Sequence, residues 1–284
     1  MNTTRVVAAV VIIAIVLIGA YIAFKPGPPQ TPPPTEAPAV KKVKMAIILP
    51  GTIQDSGWNT MGYLALAEAG RVLNIETAYS EWVSVPDADR VAREFISTGY
   101  NVIIFHGGEY VSVVEKLAPE YPDVSFVMHG DAKIEGLPPN IWNINRLWYL
   151  GYYPAGYLAG KMTNTKKVGM IGGIDFPGAI GAVNGFYQGL MASCPDCKFY
   201  WAFAGSFDDP LKAKTIAESQ ISEGCDVIMA YQDLGVYGVV EAARAAPHHV
   251  WLIGIDIDKY GVDPERFITT IIADFSELYT EIGR

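Results

Sequence analysis

The chain has 284 residues, a hydrophobic share of 50% and a formal charge of -9, values that exclude a disordered tail and suit one or two packed domains. The acidic balance also excludes nucleic acid as the main partner, because phosphate binding needs clustered Lys and Arg. The only such cluster is the short run from Lys41 to Lys44.

From Val6 to Phe24 the chain reads VVAAVVIIAIVLIGAYIAF without a charge, about the 20 residues that cross a bilayer as a helix. Residues 6–24 are therefore predicted to be a transmembrane anchor, with Arg5 before it and Lys25 after it weakly favouring an outward-facing C-terminal side. A secretory signal cut near Gly19-Ala20 is the competing reading. Residues 25–43 follow as a linker, and Lys25 to Ala39 carries seven prolines, so this stretch should be an extended polyproline II spacer.

Beyond the linker, short runs rich in Val, Ile and Phe alternate with stretches of helical period. Strands are predicted at Met45 to Leu49, Glu76 to Trp82, Val102 to Phe105, Ser125 to Met128, Val168 to Ile171, Phe199 to Ala204, Val227 to Ala230 and Trp251 to Ile255. Helices are expected near 60–73, 87–98, 110–118, 149–162, 179–192, 210–223 and 235–245. Continuous apolar runs such as VIIF and VIMA are the mark of strands covered on both faces, so the fold class is α/β with parallel sheets. Between Asp131 and Arg146 the alternation breaks at AKIEGLPPNIWNIN, where Pro138-Pro139 forbids helix. That break favours two doubly wound lobes with a hinge over one closed barrel. The expected division is 44–143 plus 262–284 for the first lobe and 144–261 for the second.

Ligands of open parallel sheets bind beyond the carboxyl ends of the strands. Those ends hold Asp55, Trp58 and Asn59, then His106 and Gly107, His129 and Asp131, Asp175 and Phe176, Asp208, Gln232 and Asp233, and Asp256 with Asp258. Carboxylates and rings together suit a neutral hydroxyl-rich ligand or a cation, and suit phosphate poorly. Plainer readings stand beside these: Asp55, Asn59 and Asp208 can be helix N-caps, and His106 and His129 can be satisfied core histidines. Asp256 and Asp258 at one strand end repel unless a hydroxyl donor or cation relieves them.

Cys194-Pro-Asp-Cys197 has no His or second Cys pair at metal-ligand spacing, so no metal site is expected. Outside the cell the pair would close a small disulfide loop, whereas in the cytosol the spacing would suggest redox chemistry. Cys225 reads as a small buried hydrophobe. Neither G-x-S-x-G nor a Walker loop is present, nor a G-x-G-x-x-G after a strand, which argues against an enzyme; a metal-assisted nucleoside hydrolase is the residual alternative.

The segments QDSGWNTMGYLAL, LAPEYPDVSFVM, GYYPAGYLAGKMTNTKKVGMIGG, GFYQGL, GSFDDPLKAKTIAESQISEGCDVIMA and IGIDID resemble, in order and spacing, the basic membrane protein family of ABC transporter substrate-binding proteins. That family is also called PnrA-like or Med. The resemblance runs from about Lys44 to the end. It implies a type I periplasmic-binding-protein-like fold and a purine nucleoside-like ligand held between two lobes. It also implies an ABC permease as partner, no cofactor, and an extracytoplasmic protein that acts as a monomer. The first-loop acid and aromatic of the family fall on Asp55 and Trp58, its later aromatic on Phe176, and its ribose-holding acid on Asp256 with Asp258 beside it. The chain departs from the family in three ways. No lipobox cysteine precedes Cys194, so the apolar helix is expected to be the anchor. Gly107-Gly108-Glu109 stands where many nucleoside binders have Gly-Phe. Relatives usually continue past the segment matching ITTIIADFSELYTEIGR, so the last strands of one lobe are expected to be missing. A ligand sensor for a signalling partner, or a receptor for a sugar or polyol, would use the same cleft.

Overall fold

In the strand Lys44–Ile48 (β1, KMAII), side chains alternate between two faces with a period of two. Ala46 and Ile48 enter one apolar cluster while Met45 and Ile47 enter another, so this strand is buried on both sides. The computed structural model describes residues 42–131 and 136–284; the predicted anchor at 6–24 and the linker through residue 41 lie outside the described residues. Among the described residues, no helix is long and apolar enough to cross a membrane.

After β1 come α1 (Trp58–Leu73), β2 (Glu76–Ser80), α2 (Val85–Ser97), β3 (Val102–Phe105), a 3-10 turn at Gly108–Tyr110, α3 (Val111–Glu120), β4 (Ser125–His129) and β5 (Ile141–Ile144). They build a five-stranded parallel sheet in the order β2-β1-β3-β4-β5. The chain continues through α4 (Trp148–Met162), β6 (Lys167–Gly172), α5 (Pro177–Ser193), β7 (Lys198–Phe203), α6 (Pro210–Ser222), β8 (Val227–Tyr231), α7 (Val236–Ala245), β9 (Trp251–Asp256) and β10 (Phe267–Ile272). These strands form a second parallel sheet in the order β10-β9-β8-β6-β7. Val227 and Met229 of β8 pack on one side of it and Ile228 and Ala230 on the other. The doubly wound pattern expected from VIIF and VIMA is therefore present in both lobes.

Residues 262–284 are expected in the first lobe, yet Phe267 to Ile272 pair with Leu252 to Asp256 in the second sheet. The chain returns only after Ile272, where α8 (Ser276–Gly283) sets Phe275, Leu278, Tyr279 and Ile282 against Met45, Ile47 and Ile104 of the first lobe. Pro138-Pro139 does precede an extended segment, and that segment is β5 at the edge of the first sheet. A disulfide joins Cys194 to Cys197 (Sγ–Sγ 2.02 Å) at the turn from α5 to β7, and Cys225 is buried and unbonded.

Helices α4 and α5 approach closely. A Cβ on Gly189 would lie 1.9 Å from the carbonyl oxygen of Tyr153, and one on Gly156 would lie 1.9 Å from that of Phe186. Glycine at both positions is what lets the two backbones touch.

Candidate functional site

The carboxyl ends of the strands of both sheets open on one cavity of about 600 Å³, at the position that the parallel topology dictates. From the first lobe, its walls include Trp58, Asn59, Gly107, Gly108 and Glu109. Arg146 and Trp148 come from the crossing segment and the start of α4. The second lobe supplies Phe176, Phe207, Asp208, Tyr231, Asp233 and Asp256.

The loop after β1 is organised by Asp55, only 1% exposed. Its carboxylate accepts from the backbone N–H groups of Gly57 (2.9 Å), Asn59 (2.8 Å) and Thr60 (3.0 Å), from Asn59 Nδ2 (2.7 Å) and from Thr60 Oγ1 (2.8 Å). The first amides of a helix lack intrahelical acceptors and carry the positive end of its dipole, so a carboxylate there is stabilising. Asp55 is thus a cap that does not reach the cavity, which corrects its expected role as a ligand contact. Asn59 does line the cavity, while its Oδ1 accepts from Gly51 N–H at 3.2 Å.

Trp58 lies flat on His106, with ring centroids 3.8 Å apart and planes 13° apart, and its Nε1–H donates to the His106 carbonyl at 2.9 Å. The Arg146 guanidinium lies 4.1 Å from the Trp58 ring and 4.2 Å from the Trp148 ring. One face of Trp58 thus rests on histidine and the other on arginine, a cation–π contact. Arg146 is fixed by Asp131, which takes Nη2–H at 2.6 Å, Nε–H at 3.2 Å, the Arg146 backbone N–H at 2.7 Å and the Trp148 indole N–H at 2.7 Å. Asp131 is therefore a positioning group for Arg146 and is absent from the cavity wall, again unlike the expectation.

His106 is fully buried behind Trp58. Burial pushes its pKa down to about 3, against a hydrogen bond to the Trp58 carbonyl that pulls the other way, so it is neutral near pH 7. Its Nε2 faces that carbonyl at 2.8 Å and must carry the hydrogen, which leaves Nδ1 to accept from Tyr279 O–H at 2.9 Å. The Tyr279 oxygen then accepts from His129 Nδ1–H at 2.9 Å. His106 and His129 are members of this relay, which ties α8 to the ends of β3 and β4. His106 is no cavity contact.

At the other end of the cleft, Asp233 and Asp256 are buried and hydrogen-bonded to each other. Burial, outweighing Lys259 and Arg146, pushes the Asp256 carboxyl up to about 6; burial first and the Asp256 charge second push Asp233 well up. Lys259, fully buried, donates from Nζ to the carbonyl of Ser56 across the cleft. A Cβ on Gly57 would sit 2.0 Å from Asp233 Oδ1, so the loop after β1 and the loop after β8 meet there. Asp258 is exposed and accepts from Tyr260 N–H at 2.9 Å as a turn residue; it takes no part in the cavity, contrary to the expectation. Gln232 is completely buried and does not line the cavity either, and neither its Nε2 nor its Oε1 has a partner among the described residues. The cap of α6 is Asp209, which accepts from Lys212 N–H at 3.0 Å, and this frees Asp208 to face the cleft.

The structure thus brings together Trp58, Asn59, Gly107, Phe176 and Asp256 of the expected site, and adds Arg146 and Trp148. Their signal was the sequence Arg-Leu-Trp immediately after the interrupted segment, where a chain crossing between lobes must pass the cleft.

Residues 42–283 match the family described as ABC transporter substrate-binding protein PnrA-like. Basic membrane protein B of Borreliella burgdorferi is 27% identical over 256 residues, which is 86% of this chain and 73% of that protein. The transcriptional activator protein med of Bacillus subtilis is 25% identical over 242 residues, 84% of this chain and 74% of its own. Among solved structures, an ABC transporter solute-binding protein from Conexibacter woesei superposes with a TM-score of 0.64 at 29% identity, over 75% of this chain and 70% of that one. A solute-binding protein from Aeropyrum pernix gives a TM-score of 0.77 at 22% identity, over 84% and 69% respectively, a likeness of fold. Members of the matched family are substrate-binding proteins rather than enzymes, and this chain belongs to the PnrA-like family of ABC transporter substrate-binding proteins.

Proposed function

We propose that the protein is a membrane-tethered, extracytoplasmic receptor that captures a purine nucleoside-like solute between its lobes and presents the closed form to an ABC permease. The observation that carries this reading is a single cavity lined both by the buried carboxylates of Asp233 and Asp256 and by the ring of Phe176. Asp256 and Asp233 offer oxygens to paired ribose hydroxyls in a desolvated setting, where charge-assisted hydrogen bonds are strongest. Phe176 has no ring partner among the described residues and takes the base on its face. Trp58, covered by His106 and Arg146, contributes its edge. Ligand contacts to both lobes exist only when these are closed, so binding shifts the population toward closure.

Binding heat measured for the full chain against guanosine, adenosine, inosine, uridine and free ribose tests the reading. One nucleoside should bind at micromolar concentration or tighter, free ribose should not, and Asp256→Ala should cost about 2–3 kcal/mol of that affinity. Silence across the panel from folded protein leaves a sugar or polyol as ligand. The med relative, named as a transcriptional activator, favours a second reading in which the closed form regulates a partner. Loss of nucleoside uptake on deletion of the gene speaks for transport, and unchanged uptake for regulation.

A further inference from the structure

We propose that the indole of Trp82 is a rim aromatic of the receptor, packing on the solute where it still faces water, so that a ligand with a flat ring is held in preference to a bare sugar; this rests on the nucleoside reading above.

Trp82 stands out on two independent counts. Its backbone lies in the left-handed region, at a φ of 56°, and among the described residues it is the one aromatic residue there. A side chain crowds the backbone in that region, so a bulky residue in it is strained. The second count is position: its side chain is 66% exposed, more than that of any other tryptophan of the six, and it lines the cavity. Exposure alone would be ordinary. Trp142 and Trp201 are exposed too, but they lie on the edge strands β5 and β7 and take no part in the cavity wall.

The fold fastens the backbone at this point and leaves the ring alone. Trp82 N–H donates to the Gly51 carbonyl at 3.2 Å, and Val83 N–H to that of Leu49 at 3.0 Å. The Val83 carbonyl accepts from Tyr110 O–H at 2.5 Å, and the Glu81 carboxylate accepts from Ile53 N–H at 2.9 Å. Trp82 and both its neighbours are thus tied to the loop after β1 and to the turn after β3, and a strained residue persists where its surroundings over-determine it. The indole itself makes no hydrogen bond, ring contact or cation contact among the described residues, and it belongs to none of the four apolar clusters. Glycine would adopt the same backbone without strain, so the turn does not call for tryptophan.

The cavity supplies the reason. Of its other rings, Trp58 is covered by His106 and Arg146, Trp148 rests against Arg146, and Phe207 meets Tyr231 edge-on at 5.4 Å. Phe176 and Trp82 are the two lining rings without a ring or cation partner among the described residues, one from each lobe. A solute that touches both bridges the lobes. An indole face gains most from a flat, apolar partner, which a purine supplies and free ribose, hydroxylated around its ring, does not.

The test is calorimetry of the full chain with guanosine, adenosine, inosine and ribose, repeated on Trp82→Gly and Trp82→Phe with the melting temperature of each. Trp82→Gly should weaken the bound nucleoside about tenfold or more and melt at or above the parent's temperature, since glycine relieves the strained backbone. Trp82→Phe keeps a ring on the same backbone and should stay within about threefold of the parent. The change in tryptophan emission on adding nucleoside should be smaller in Trp82→Phe than in the parent. Affinity of Trp82→Gly within about threefold of the parent, or an emission change undiminished in Trp82→Phe, overturns the role of Trp82 while the receptor stands. A melting temperature of Trp82→Gly lowered along with its affinity makes the indole a prop of the fold and overturns the role as well. No nucleoside bound by folded parent protein overturns both readings.

Discussion

Asp256 and the two buried histidines titrate in opposite senses, and this sets the pH response of the fold. The Asp256 carboxyl, raised by burial to about 6, holds a proton in the folded state that the unfolded chain has already released above about pH 4. Its contribution to stability is therefore present in acid and lost as the pH rises through about 6, on the order of 3 kcal/mol for a shift of this size. His106, lowered to about 3, and His129, lowered by burial and by its neighbours His106 and Arg146, work the other way. The unfolded chain takes up their protons below about pH 6.5, so they cost stability on acidification. In the window from about pH 4 to 6.5 the two effects oppose, with Lys259 and Arg146 both pulling Asp256 down. Asp256→Asn removes one of the two raised carboxyls, Asp233 being the other, so urea unfolding at steps across that window should show the variant losing stability more steeply in acid than the parent. Parallel curves would mean that Asp256 is ionised throughout. Residue chemistry at this scale was partly legible in the sequence. The acids and rings at the strand ends were visible as a set. Which acid caps a helix (Asp55), which holds an arginine (Asp131) and which closes a turn (Asp258) depends on backbone direction, which the residue types at the strand ends do not encode.

Among the elements, the contact of α4 with α5 is governed by close approach rather than by apolar area. Gly189→Ala would thrust a methyl group to 1.9 Å from the Tyr153 carbonyl oxygen, and the helices must part to admit it. The expected cost is about 1–3 kcal/mol, read as a lowered urea midpoint. Gly181→Ala on the same helix is the control, since nothing lies within 4 Å of its added Cβ and the higher helix propensity of alanine should leave stability unchanged or improved by up to about 1 kcal/mol. Equal midpoints for both variants would show that the contact yields. The eight strands and seven helices expected from periodicity are present, most of the strands on uninterrupted apolar runs such as VIIF and VIMAY, although β2 is ETAYS with no residue fully buried. Three elements escaped. β5 is IWNI among asparagines and only Ile141 of it is buried; β10 is FITTII, whose threonines interrupt the apolar run; and α8 spans only eight residues. β10 also explains the displaced lobe boundary, because its pairing with β9 is a long-range fact that local composition does not encode.

At the scale of the molecule, the two lobes are joined by the crossings at residues 145–147 and 273–275, and both crossings carry residues of one aromatic cluster. Arg146 lies 5.8 Å from Phe275, and Phe275 meets His129 edge-on at 4.5 Å, so the hinge and the floor of the cleft are one packed unit. Across the mouth, Lys259 reaches from the second lobe to the Ser56 carbonyl of the first. Burial pulls its pKa down while Asp256 and Asp233 pull it up, so its charge is a compensated one held at the point where the lobes meet. A buried cation with one cross-lobe acceptor favours the closed arrangement only while the lobes stay together; in the open form water satisfies it equally well. Lys259→Met keeps most of the side chain's volume and removes the donor, leaving the Ser56 carbonyl unpaired on closure at a cost of about 1–3 kcal/mol. Small-angle scattering of the ligand-free variant should therefore give a larger radius of gyration than the parent, and its nucleoside affinity should fall by the fraction of closed form lost. Saturating ligand should restore the parent's radius, because contacts to both lobes supply what the lysine did. A variant as compact as the parent without ligand would transfer the latch to the hinge cluster around Arg146.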